Sequence, residues 1–139
     1  MSKRIFSMIG LLALMVLMTG VLTAAAPVPT TTFNLIHGLP STMNVGETHT
    51  VIVQVESDQQ FISAQALPSF QYPGKGVVAV QGGSRTGSGT SATLAITYLA
   101  KSSTERMENG VATVHFVVGV RYAGGYVVVQ DYVFYVAVR

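Results

Sequence analysis

An all-β fold of two packed antiparallel layers is the class this sequence predicts, on three observations. After Phe33 no apolar residues recur at helical spacing over about ten residues or more. Short runs rich in Val, Thr, Ile and aromatic residues recur instead, bounded by Gly, Pro, Ser and Asn. The turn signals return roughly every dozen residues, and such strands must bury one face against a second layer.

The elements follow in order. FNLIHG (33–38) is the first strand, and 39–47, with Pro40 and Gly46, is a connection. THTVIVQVES (48–57) alternates, with Val51, Val53 and Val55 on one face and Thr50, Gln54 and Glu56 on the other. SDQQ turns the chain into FISAQAL (61–67). PSFQYPGKG (68–76) has two prolines and two glycines and reads as loop or broken edge. GVVAVQ (76–81) is a short strand, GGSRTGSGT (82–90) a flexible loop, and SATLAITYLA (91–100) a strand that aligns Leu94, Ile96 and Tyr98. KSSTERMENG (101–110) is a polar connection, after which 110–122 and 126–139 close the chain as a hairpin. About seven antiparallel strands in about a hundred residues predict an immunoglobulin-like β-sandwich. With neither Cys nor Trp in the chain, the antibody-type core is excluded.

The N-terminus supplies a compartment. Lys3 and Arg4 precede an apolar run from Ile5 to Val21, and Thr23, Ala24, Ala25 and Ala26 follow. That order is the pattern of a secretory signal peptide, with cleavage expected after Ala25 because Pro27 hinders a cut directly before it. The alternative is a single uncleaved anchor, since the run approaches the roughly 20 residues that span a bilayer. The expected organisation is a signal peptide at 1–25, a Pro/Thr linker at 26–32 and the sandwich at 33–139. A cysteine-free exported domain suits a bacterial or archaeal cell surface and must rely on apolar burial alone.

Charge excludes one class of partner. Without Lys3 and Arg4 the chain has six basic and six acidic residues, and the basic ones are scattered. Nucleic-acid binding needs a clustered basic face, which is not here. Any membrane contact is confined to the N-terminal segment, if it stays uncleaved.

The stretch LPSTMNVGETHTVIVQV (39–55) resembles the opening of many bacterial extracellular Ig-like modules, where a Pro, a Val-Gly-Glu corner and an alternating Thr/Val strand follow one another. The resemblance implies a surface or secreted module used for spacing or adhesion, and carries over no functional residue.

The terminal strand, YVVVQDYVFYVAVR (126–139), poses a problem of register. A two-residue turn at Gly124-Gly125 sets Val120 against Val129 and brings Asp131 onto the core face, where an unpaired carboxylate costs several kcal/mol. A β-bulge at Gln130-Asp131 would turn both outward and set Phe134 against Phe116, Val136 against Val114 and Val138 against Ala112. The inward set is then Val127, Val129, Tyr132, Phe134, Val136 and Val138. The outer face keeps His115, Val117, Tyr126, Val128, Val133 and Tyr135, an apolar band that reads first as an exposed ladder of aromatic and β-branched pairs and, as the alternative, as an interface with a second copy or another surface protein.

Catalytic and metal motifs are lacking. His37, His49 and His115 have no metal-ligand spacing, the glycine-rich loop lacks the Lys-Ser/Thr of a phosphate cradle, and no two acids are grouped as a glycosidase pair. No cofactor or metal is expected. The reading is an exported, non-catalytic module with a structural, adhesive or assembly role. The alternative is an extracellular ligand-binding module, for carbohydrate, using Phe70, Tyr72, Tyr126 or Tyr135. An enzyme ranks third.

Overall fold

A computed structural model describes residues 27–70 and 77–139. The expected signal peptide therefore lies outside the described residues, as does Tyr72. The strands are β1 (Thr31–His37), β2 (Thr42–Met43), β3 (Thr48–Phe70), β4 (Val78–Gly82), β5 (Thr86–Ala100), β6 (Ala112–Tyr122) and β7 (Val127–Val138). They hydrogen-bond in the order β2-β7-β6-β3-β5-β4, with β1 also on β3. All pairs are antiparallel except β2 with β7.

This sheet wraps over a single core because β3 serves both layers. From Thr48 to Glu56 it pairs with β1 and with the second half of β5. From Phe61 to Phe70 it pairs with β6, while Phe61 to Gln65 also meet the first half of β5. Val51, Val53 and Val55 of the first layer and Ala64 and Ala66 of the second belong to the same buried cluster. β5 adds Leu94, Ile96 and Tyr98, β6 adds Val114, Phe116, Val118 and Val120, and β7 adds Val136 and Val138. The expected sandwich is the fold.

Three local expectations are corrected. SDQQ does not reverse the chain, since β3 runs through it with a register shift between Glu56 and Phe61. Its polar side chains mark the corner between layers and are satisfied there. The Tyr122 hydroxyl donates to Ser57 Oγ at 2.8 Å, and the Thr30 amide to Asp58 Oδ1 at 2.9 Å. Residues 86–90 are strand rather than loop, because the second half of β3 gives them a ladder to join, with Gln65 opposite Thr86 and Phe61 opposite Gly89.

The third correction is the hairpin. Its turn has three residues, Ala123 to Gly125, and the Tyr122 amide donates to the Tyr126 carbonyl at 2.8 Å. Gly124 and Gly125 have φ of 85° and 89°, a left-handed region that glycine enters without a Cβ penalty. One more turn residue shifts the register by one, so Val120 faces Val128 and Arg121 faces Val127. That register continues unbroken to Ala112 opposite Val136, and no bulge forms. Tyr132 faces Phe116 and Phe134 faces Val114, so the three inward pairings expected from a bulge are each replaced. Asp131 leaves the core face because of the turn.

The polar connection 101–110 is pinned by Thr104, which is buried. Its hydroxyl donates to the Gly110 carbonyl at 2.8 Å and accepts from the Val138 amide at 2.9 Å. Its own amide donates to the Val138 carbonyl.

Candidate functional site: the outer face of β3, β6 and β7

Alternation along β6 and β7 separates two faces. Even-numbered residues face the core, so odd-numbered ones face out. Registers place side chains in rows across three strands: Ser69–His115–Val133, Leu67–Val117–Asp131, Gln65–Gly119–Val129 and Ser63–Arg121–Val127. Thr113 and Tyr135 extend the pattern.

An apolar band on this face is open. Leu67 is 49% exposed, Val129 61%, Val133 39% and Tyr135 61%. Val129 stands out because its neighbour Gly119 has no side chain, and nothing lies within 4 Å of where a Cβ would be. On the other layer, by contrast, Thr50 and Thr97 share a hydroxyl hydrogen bond of 2.8 Å.

The polar group within the band is a pair. His115 Nδ1 lies 3.0 Å from Asp131 Oδ2 and 3.1 Å from Oδ1. A carboxylate only accepts, so Nδ1 carries the proton and donates. His115 Nε2 is buried and without a hydrogen-bond partner. The expected outer residues divide accordingly. His115, Val117, Val133 and Tyr135 share this face, while Val128 lies on the inner face against the core. Tyr126 sits at the turn, its ring tilted against Tyr122 at 6.0 Å.

Tyr126 lines a shallow groove of about 200 Å³ with Pro27, Pro29, Gln59 and Gln60. Gln59 Nε2 donates to the Pro27 carbonyl at 2.9 Å, fastening the first described residue over the corner of β3. Phe70 is not a free platform, since it packs on the core with its ring edge-on to Tyr98 at 6.2 Å.

The remaining ionisable groups are dispersed. His49 Nε2 lies 2.9 Å from Glu47 Oε2 on the first layer. Glu47 is held below the usual glutamate range, first by the Asn44 amide donating to its carboxylate at 2.7 Å and then by His49. Burial raises the phenols of Tyr98 and Tyr132 above the ordinary value. Among the described residues no three His, Asp or Glu side chains gather as metal ligands.

Sequence reasoning missed Leu67, Val127 and Val129 on this face. Alternation in FISAQAL already set Leu67 apart from Ala64 and Ala66, but the assumed two-residue turn sent Val127 and Val129 inward.

No protein-family model matches the chain, and no curated protein sequence does. Among solved structures the chain is similar to a cohesin module from a family 33 glycoside hydrolase of Clostridium perfringens, at 11% identity and a TM-score of 0.49, covering 82% of this chain and 100% of that one. It is also similar to murine CRIg, at 12% identity and a TM-score of 0.40, covering 79% of this chain and 98% of that one.

Proposed function

We propose that the chain is an exported, non-catalytic sandwich module with a structural, adhesive or assembly role at the cell surface. The outer face of β3, β6 and β7 is its contact surface. The observation that carries this is the apolar band formed by Leu67, Val117, Val129, Val133 and Tyr135, which three strands bring together. Contiguous exposed apolar surface is a mark of association sites. The order of charge, apolar run and small residues at the N-terminus supports export.

The test combines fractionation with a charge placed in the band. Protein made from Met1 is expected outside the cytoplasmic membrane with its N-terminus at Ala26. Leu67→Lys is expected to release it from its own cell surface while leaving the fold intact, because a lysine there is solvated unless the face is covered. Protein retained in the cytoplasm, or retention indifferent to Leu67→Lys, overturns the reading.

A second reading, a carbohydrate-binding module, is favoured by Tyr126, whose exposed ring lies in a groove beside the amides of Gln59 and Gln60. Its test is glycan binding that is lost in Tyr126→Ala.

A further inference from the structure

The inner row of β7 contains one polar residue with an amide side chain. Val128, Gln130, Tyr132, Phe134, Val136 and Val138 face inward, and Gln130 is half-buried among them opposite Val118. Its side-chain amide has no hydrogen-bond partner among the described residues. An amide carries both donors and an acceptor, so its natural complement is another amide.

Gln130 also lies on an open strand edge. The bond from the Tyr122 amide to Tyr126 fixes the phase of the ladder, so even-numbered residues of β7 direct their backbone groups to β6. Odd-numbered residues direct theirs the other way. The far end confirms that phase, because the Ala137 amide donates to the Ser41 carbonyl and the Arg139 amide to the Met43 carbonyl. From Val127 to Tyr135 nothing among the described residues pairs with that edge. It has no Pro, no Lys and no bulge, the usual guards against strand addition.

We propose that this edge pairs antiparallel with β7 of a second copy of the chain, about a two-fold axis at Gln130. The pairing goes beyond the association reading above, since it uses the backbone edge of β7 and not the outer face. In this register Gln130 faces Gln130 of the other copy, and the two amides can bond each other. Val129 faces Asp131 and Val127 faces Val133, using the odd-numbered backbone groups that lack partners. Asp131, the one charged residue of β7, does not oppose itself. The partner's turn arrives opposite Tyr135, short of Ala137, where β2 occupies the edge. Centring on Asp131 would set two carboxylates face to face, and centring on Tyr132 would drive the partner strand into β2. The chain from Ala26 onward has equal numbers of basic and acidic residues, so no net charge holds copies apart.

The experiment uses protein expressed from Met1 and purified from the cell surface. Sedimentation is expected to give twice the chain mass. Gln130→Cys adds the chain's sole thiol, and residues opposed in a non-hydrogen-bonded pair sit about 4.5 Å apart, within disulfide range. Oxidation is expected to link that variant into covalent dimers, while Tyr135→Cys links far less. Val129→Pro removes an amide from the open edge and none from the β6 ladder, so it is expected to halve the mass with unchanged circular dichroism. Leu67→Lys, two strands from the edge, is expected to remain dimeric. A monomeric wild type, or dimers that Gln130→Cys fails to link, overturns the pairing. Loss of surface retention in Leu67→Lys would still stand in that case, so the two readings fail separately.

Discussion

His115 and Asp131 meet diagonally across β6 and β7, with Nδ1 at 3.0 Å from the carboxylate, because His115 directly faces Val133 and Asp131 directly faces Val117. The pair lets an apolar face carry an acid, and it lies half in water. Asp131 is 47% exposed at its side chain and His115 16%.

Asp131→Asn is expected to cost less than about 1 kcal/mol, the usual range for a pair with one exposed partner. Urea unfolding at neutral pH measures it. A cost of several kcal/mol would place Asp131 in a buried network instead.

Gly38 abuts Phe134 so closely that a Cβ there would lie 2.7 Å from ring atom Cε1. Gly38→Ala is expected to destabilise by about 1–2 kcal/mol through overpacking. Phe134→Leu should relieve part of this, giving a coupling of at least about 0.5 kcal/mol in a double-mutant cycle. Phe134 is only partly buried, so Phe134→Ala should cost below about 3 kcal/mol, and less than Phe116→Ala, which removes a fully buried ring.

The Tyr98 hydroxyl is buried without a hydrogen-bond partner. Tyr98→Phe removes an unsatisfied polar atom and keeps the ring against Phe70. It is expected to be neutral or to raise stability by about 1 kcal/mol, read as a higher denaturant midpoint at unchanged slope. A loss would reveal a partner for the hydroxyl.

Glu47 accepts from the Asn44 amide and from His49, and its folded pKa is lowered. A lowered acid contributes stability above its unfolded pKa, and loses that contribution as pH falls through the folded value. Carbon-detected NMR should show Glu47 titrating below the ordinary glutamate range. Glu47→Gln should flatten the acid limb of the stability curve slightly, since the carboxylate is solvent-exposed.

Alternation alone placed Val51, Val53 and Val55 together, and Leu94, Ile96 and Tyr98 together, because strand side chains repeat every second residue. It also made the chain all-β and the last two strands a hairpin. What local pattern could not determine was phase. A two-residue and a three-residue turn around Gly124 and Gly125 are both plausible in sequence, yet one residue exchanges the faces of an entire strand. The three-residue turn moved Val127 and Val129 outward, Val128 and Gln130 inward, and removed the need for a bulge. Tertiary pairing likewise decided that SDQQ is a corner, because its polar groups find partners on Thr30 and Tyr122, which are distant in sequence. It made strand of residues 86–90 because β3 offers them a ladder. Residue types record burial, which is local, whereas register and layer depend on which backbone lies alongside, and only the folded chain brings that backbone near.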